Sequence, residues 1–139
     1  MKYQSTNELH LFDVRDHSWS LVSRTERDLR IHVLGASDGL EFGTEPYTDL
    51  FVTFRGFRLN WAKTTDGEED LSLPFAEAMD RFSAEPYFVF AYYLDEDGIE
   101  LCGLGSDDPL AMNFSFDEAL IEWDCEPKEY VGELTILRE

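Results

Sequence analysis

Two histidines and two aspartates near the start of the chain have the side chains that metal sites use. The set lies within eight residues and comprises His10, Asp13, Asp16 and His17. Imidazole together with carboxylate can hold zinc or iron. On an extended strand, however, each histidine shares a face with only one of the two aspartates, so a common site requires a turn between them. The spacing favours solvated polar positions over a metal centre, and no cofactor is predicted.

Acidic clusters recur at three predicted turns in the later part of the chain. They are Asp66, Glu68, Glu69 and Asp70, then Asp95, Glu96 and Asp97, then Asp107 and Asp108. Calcium takes several oxygen ligands, and an EF-hand supplies them from one loop with a central glycine and a terminal glutamate. None of the three clusters has that layout. They are therefore predicted to be hairpin turns that carry exposed negative charge.

Sequence patterns of other enzyme classes are absent. The segment 103–106 lacks the G-x-S-x-G frame of a nucleophile elbow, and no G-x-x-x-x-G-K loop occurs. Neither cysteine has a histidine nearby in the sequence. The chain is therefore expected not to be an enzyme. The alternative is a small-molecule or metal-dependent enzyme that uses His10, Asp13 and His17, with the loop 35–47 as a lid.

Charge divides the chain into two unequal parts. The 139 residues include 30 acidic and 11 basic residues, which gives a net charge of −19. Residues 1–60 hold nine acidic and seven basic residues, a balance of −2, whereas residues 61–139 hold 21 and four, a balance of −17. Direct nucleic-acid binding is disfavoured because phosphate contacts need a basic face. A basic protein partner would be attracted.

The start of the chain and its cysteines indicate a compartment. Residues 1–5 contain no apolar h-region, so no signal peptide is predicted. The longest apolar run, at 87–94, is too short to span a bilayer, so no membrane association is expected. Only Cys102 and Cys125 are present, which excludes a disulfide framework and favours a reducing cytoplasm.

Apolar periodicity predicts a single domain built mainly from strands. Apolar side chains alternate along 9–15, 19–23 and 29–33. The segment 48–61 is predicted to be one long strand with a bulge at Gly56, where the phase of the alternation shifts. The run 87–94 is apolar on both faces, which predicts a central strand covered on both sides. Two further strands are predicted, at 99–104 and 134–137.

One short helix is predicted between Pro74 and Ser83. Its apolar positions have the i, i+3, i+4, i+7 spacing of a buried helix face and are Phe75, Ala78, Met79 and Phe82. The segment 115–125 fits either a capped helix or a strand, and its Ile121 and Trp123 favour the strand. The predicted fold is thus a two-layer antiparallel β-sandwich with one short helix. An α+β fold with a second helix at 115–125 is the alternative.

The strand pattern of the first part of the chain resembles a known kind of domain. LHLFDVR at 9–15, LRIHV at 29–33 and DLFVTF at 49–54 are similar to segments of small bacterial β-sandwich domains of unknown function. Some proteins of that kind resemble immunity proteins, which neutralise a toxin by binding it. The resemblance implies a non-catalytic intracellular binding protein.

The predicted function is therefore an acidic binding module of immunity type that docks on a basic protein. Acidic turns would steer the partner, and exposed aromatic side chains would then hold it. The predicted binding residues are Asp66, Glu68, Glu69, Asp70, Asp95, Glu96, Asp97, Asp107, Asp108 and Tyr130.

Overall fold

The computed structural model describes residues 2–12, 14, 17–37, 47–66, 69–84, 87–95, 98–104, 109–124, 132–133 and 135–137. These residues are mostly antiparallel strands with one short helix, which confirms the predicted fold class. A 3₁₀ helix spans Leu9–Leu11, and α1 spans Phe75–Ala84. The strands are β1 (Lys2–Thr6), β2 (His17–Arg24), β3 (Asp28–Ser37), β4 (Tyr47–Arg55), β5 (Arg58–Asp66), β6 (Glu69–Ser72), β7 (Tyr87–Leu94), β8 (Ile99–Leu104), β9 (Pro109–Ser115), β10 (Glu118–Trp123) and β11 (Thr135–Leu137).

All eleven strands among the described residues belong to one hydrogen-bonded sheet, in the order β11-β1-β10-β4-β3-β2-β7-β8-β9-β5-β6. We call β11-β1-β10-β4-β3-β2 the first half-sheet and β7-β8-β9-β5-β6 the second half-sheet. The two are joined where β2 pairs with β7, from His17 opposite Val89 to Trp19 opposite Tyr87. The sheet is open, with β11 and β6 as its edges.

The sheet curls so that its two half-sheets face each other as two layers. Phe54 of β4 and Phe114 of β9 lie five strands apart in the sheet order, which would separate them by about 24 Å in a flat sheet. Their ring centroids are instead 5.1 Å apart, in an edge-to-face contact. The predicted two layers are thus present, and they are the halves of one continuous sheet.

The helix α1 packs on the core between the layers. Its buried residues are Ala78, Met79 and Phe82, three of the four positions of the predicted apolar face, whereas Phe75 is exposed. Phe82 meets the ring of Tyr87 edge to face at 5.6 Å. Pro74 stands before the helix and its carbonyl accepts a hydrogen bond from the Ala78 N–H. The predicted helix is confirmed.

The predicted long strand at 48–61 is wrong, because the chain turns at Gly56. β4 ends at Arg55 and pairs with β3 and β10, whereas β5 begins at Arg58 and pairs with β9 and β6. Gly56 has φ of +69°, a conformation that favours glycine. A Cβ at this position would lie 2.1 Å from Oδ2 of Asp117. The shift in alternation therefore marks a change of layer, not a bulge.

The predicted first strand at 9–15 is also wrong. Leu9–Leu11 form a 3₁₀ helix, and the side chains of Leu9, Phe12 and Val14 are buried. The first strand is instead β1, which pairs with β10 and β11 although it contains few apolar residues. Pairing on both sides explains why this polar segment is extended.

Three other predictions from the sequence have clear outcomes. The segment 115–125 contains the strand β10, which excludes the α+β alternative. β7 is central, as predicted, but it is covered on one face only, because Phe88 and Tyr93 are exposed on the other. The predicted loop 35–47 is shorter, because β3 extends to Ser37; residues 38–46 lie outside the described residues.

Across the described residues, no helix has the length and apolar character needed to cross a membrane.

Candidate functional site

Few of the ten predicted binding residues can be placed in full. Asp66 is the last residue of β5, and Glu69 and Asp70 begin β6. Asp95 directly follows β7 and its side chain is exposed. The predicted binding residues that lie outside the described residues are Glu68, Glu96, Asp97, Asp107, Asp108 and Tyr130.

The strand ends that lead into two acidic clusters lie side by side. Thr64 of β5 pairs with Leu110 of β9, and its hydroxyl donates a hydrogen bond of 2.8 Å to the Pro109 carbonyl. Asp66, two residues further along β5, is therefore near the start of β9. The end of β5 and the start of β9 therefore lie at one end of the second half-sheet.

The third acidic cluster follows β7 at the opposite end of the second half-sheet. The Asp95 carboxylate accepts a hydrogen bond of 3.0 Å from the Gly98 N–H, and the Asp95 N–H donates one of 3.0 Å to the Gly98 carbonyl. The six-residue β8 separates this turn from the β8–β9 connection by about 20 Å. The strand ends that border the acidic clusters in the sequence thus lie at both ends of the second half-sheet.

The outer face of the second half-sheet exposes large apolar side chains close to both of these ends. Phe88 of β7 and Leu104 of β8 are cross-strand neighbours, and they are 41% and 47% exposed. Tyr93, further along β7, is 64% exposed. The prediction that β7 is covered on both faces missed the exposure of Phe88 and Tyr93, because an apolar run does not reveal that one of its faces meets solvent.

The exposed side of β5 and β9 in the second half-sheet is mostly polar. Asn60 of β5 donates hydrogen bonds of 2.8 Å to Oδ1 of Asn113 and to the Ser115 hydroxyl of β9. The Lys63 ammonium lies 4.9 Å from the ring centroid of Trp61. These contacts fix the orientation of polar side chains on β5 and β9.

Cys102 of β8 lies on the same outer face and is half-buried with a free thiol. Burial raises the pKa of this thiol, and the nearby Glu100 carboxylate raises it further. A thiol with a raised pKa holds less of the reactive thiolate at neutral pH. The position therefore suits packing better than nucleophilic catalysis. Cys125 lies outside the described residues.

The outer face of the first half-sheet is different, because it pairs its charges. Arg30 of β3 reaches Glu122 of β10 at 2.9 Å, and Arg55 of β4 reaches Glu118 of β10 at 3.0 Å. Arg30 also donates to the Thr53 hydroxyl at 3.2 Å. Arginines from the early part of the chain thus neutralise carboxylates from the late part.

Phe51 lies at the centre of this paired face. Its ring stacks on His32 with centroids 4.6 Å apart and planes 9° apart, and the Arg30 guanidinium lies 5.0 Å from its centroid. His32 is also 3.5 Å from the Asp49 carboxylate. The Phe51 ring is therefore in contact with two side chains of the neighbouring strand β3.

A pocket of about 470 Å³ opens at the end of the sheet where β7 ends. Its apolar wall and its polar lining come from the 3₁₀ helix region, the end of β7 and the turn between β9 and β10. The lining residues are Asn7, Leu9, His10, Leu94, Asp95, Phe116, Asp117 and Ala119. Asp95 is one of the predicted binding residues and His10 is one of the predicted metal residues. The fold places both in the lining of this pocket.

Two local features fix residues that line this pocket. Asn7 has a positive φ of 57°, and it exchanges hydrogen bonds of 2.8 Å with both backbone groups of Ala119. Asp117 is fixed by Arg58, whose guanidinium lies 3.0 Å from its Oδ1. The sequence reasoning missed both residues, because neither lies in a recognisable motif.

The predicted metal residues do not form a cluster in the part of the chain that can be described. His10 is exposed beside the pocket, and His17 is the first residue of β2, half-buried opposite Val89. Asp13 and Asp16 lie outside the described residues. Within the described residues, no group of three or more His, Cys, Asp or Glu side chains could hold a metal ion.

Two tyrosines of β7 point into the core. The Tyr87 hydroxyl donates a hydrogen bond to the Leu110 carbonyl, whereas the Tyr92 hydroxyl has no partner among the described residues. Burial raises the pKa of both phenols above their ordinary value. Both remain protonated at neutral pH and contribute to packing.

Comparison of the chain with protein-family models, with curated proteins and with solved structures gives no match.

Proposed function

We propose that this protein is a non-enzymatic binding module that docks on a basic protein through the outer face of the second half-sheet, as an inhibitor of immunity type would. One observation carries the proposal. The three acidic clusters occur where strands of the second half-sheet are connected, and the same half-sheet exposes Phe88, Leu104 and Tyr93. An apolar centre with a charged rim is the usual anatomy of a protein interface.

The exposed side chains of Phe88, Leu104 and Tyr93 supply the short-range attraction between this protein and its partner. Aromatic side chains are enriched among the residues that dominate binding energy. Phe88, Leu104 and Tyr93 are about half exposed, so covering each of them contributes roughly 1 kcal/mol of hydrophobic free energy. The neighbouring Asn60, Asn113 and Ser115 already bond to one another and offer further groups to a partner.

The three acidic clusters, at 66–70, 95–97 and 107–108, supply the long-range attraction and favour a basic partner. The chain has 30 acidic and 11 basic residues, so at least 19 carboxylates (30 − 11) have no basic residue to pair with one to one. Four arginines, at positions 30, 55, 58 and 81, already form ion pairs. Carboxylates at the turns can therefore bind Arg and Lys side chains of a partner.

The experiment compares two charge variants of equal net charge. The rim variant changes six acids to their amides, at Asp66, Glu68, Glu69, Asp70, Asp107 and Asp108. The control variant changes six acids elsewhere, at Glu26, Asp28, Asp80, Asp124, Glu133 and Glu139. Both have a net charge of −13 (−19 + 6). A basic protein captured from a lysate of the source cells is purified, and its association rates with the wild type and both variants are measured.

The rim variant is expected to lower the association rate about tenfold at low salt, and the control variant much less. Tyr93→Ala is expected to raise the dissociation rate with little effect on association. Equal losses in the two charge variants would show that only overall charge matters. Capture of no basic protein, or binding that ignores Tyr93→Ala, would contradict docking on this face.

A further inference from the structure

The pocket beside the 3₁₀ helix has the size and lining of a small-molecule site. Its volume of about 470 Å³ falls within the range of about 300–1,000 Å³ that is usual for ligand pockets. One wall is apolar and consists of Leu9, Leu94, Phe116 and Ala119. Such pockets bind the body of a ligand through apolar contact and orient it with a few polar groups.

We propose that this pocket binds a small amphipathic cation, an ammonium or guanidinium group on an apolar body. Asp95 and Asp117 are its two acidic lining residues, and each carboxylate is held in place by a bond from the protein. Charged hydrogen bonds to a cation are stronger than neutral ones. Ready-oriented carboxylates also reduce the entropy that binding costs.

The local charge favours a cation over an anion. Asp95 and Asp117 contribute −2 and the paired Arg58 contributes +1, so the named charged groups sum to −1. An anion of the same shape would face this negative potential, whereas a cation would be attracted by it.

The floor of the pocket is stabilised by the backbone. The positive φ of Asn7 is maintained by its two hydrogen bonds to Ala119, which connect the end of β1 to the beginning of β10. Residues in this conformation persist where the surrounding structure fixes them, and they occur frequently at binding sites. The pocket is therefore largely formed before a ligand arrives.

The test is an NMR titration of the full chain with phenethylamine, with 3-phenylpropionate as a probe of similar shape and opposite charge. We expect phenethylamine to shift the amide signals of Leu94 and Ala119 with a Kd of about 1 mM, as befits so small a probe. The carboxylate probe should bind at least about tenfold more weakly. This outcome does not depend on docking of a basic protein, so the two proposals fail separately.

Two variants locate the binding. Asp95→Asn with Asp117→Asn keeps the shape and the hydrogen-bond acceptors but removes the charge, and should weaken phenethylamine at least about tenfold while sparing the carboxylate probe. His10 is an exposed residue of the pocket lining. His10→Trp should place a larger ring in the pocket and weaken the binding of both probes. Equal binding of the two probes by the wild type, or shifts confined to residues outside the pocket, would overturn the proposal.

Discussion

The two half-sheets differ in where their carboxylates lie and in whether arginines pair with them. In the first half-sheet, the carboxylates of Glu118 and Glu122 lie within a strand, and arginines of the neighbouring strands pair with them. In the second half-sheet, the acidic clusters are placed at strand ends, and the outer face between them carries Phe88 and Tyr93.

This difference shows that the position of a charge within its element matters more than the number of charges. A carboxylate inside a strand has cross-strand neighbours at a fixed distance, so an arginine there can neutralise it. A carboxylate at a turn has no cross-strand neighbour at a fixed distance, so its field reaches solvent unless a nearby side chain pairs with it, as Arg58 does with Asp117. The first half-sheet thus pairs its charges internally, whereas the outer face of the second half-sheet is the one that we propose docks on a partner.

The largest expected effect comes from the core between the two half-sheets, because the outer faces of both half-sheets depend on its packing. Phe114→Ala removes the ring that meets Phe54 across the two layers, and both side chains are buried. The free energy of unfolding is expected to fall by about 3–5 kcal/mol, from lost burial and the cavity left behind. Urea unfolding followed by circular dichroism measures this change.

A matched control for the core variant lies on the paired face. Phe51→Ala removes a ring of the same type that stacks on His32 and Arg30, and its expected cost is about 1 kcal/mol. Comparable costs for the two alanine variants would contradict the packing of the two layers through Phe114.

Alkaline pH tests β7, the strand at which the second half-sheet begins. Burial raises the pKa of Tyr87 and Tyr92 in the folded protein, so the unfolded chain loses these phenolic protons first, from about pH 10. Their contribution to stability is therefore complete below pH 10 and declines above it. Each is expected to lower the free energy of unfolding by up to about 1.4 kcal/mol per pH unit.

The measurement is urea unfolding between pH 9 and pH 11 for the wild type and Tyr92→Phe. The variant removes one of the two phenols without breaking a hydrogen bond among the described residues, and it should lose about half of the slope above about pH 10. An unchanged slope would show that the Tyr92 phenol does not cause the alkaline loss.

The smallest expected effect concerns the ion pairs of the first half-sheet. A double-mutant cycle with Arg30→Met and Glu122→Gln should give a coupling of about 1 kcal/mol, because this pair is half-buried and supported by Thr53. The same cycle for the more exposed Arg55 and Glu118 should give about 0.3 kcal/mol, reduced further by salt. A larger coupling for the exposed pair would contradict the assigned geometry.

The sequence predicts local structure in this chain better than it predicts which strands pair. The helix between Pro74 and Ser83 and the hairpin of β7 with β8 follow from nearby residues, and both are confirmed. The structure of segment 48–61 does not follow from nearby residues, because a shift in alternation at Gly56 fits a bulge as well as a change of layer. Only the partners of β4 and β5 decide between them.

The candidate site depends even more on long-range pairing. The acidic residues are visible in the sequence, but their grouping at the ends of one half-sheet requires the strand order β7-β8-β9-β5-β6. The pocket likewise assembles Asn7, Asp95 and Asp117 from three distant segments. Neither grouping follows from spacing or periodicity, because no local pattern encodes the contacts between those segments.

The position of β1 has a consequence for how the protein is made. Tyr3 pairs with Trp123, so β1 waits for a partner strand that the ribosome adds 120 residues later (123 − 3). At about 5–20 residues per second, that delay is about 6–24 s. β2, β3 and β4 can pair among themselves much earlier, since they are consecutive antiparallel neighbours. Synthesis therefore leaves β1 as a late addition to a sheet whose centre is already assembled.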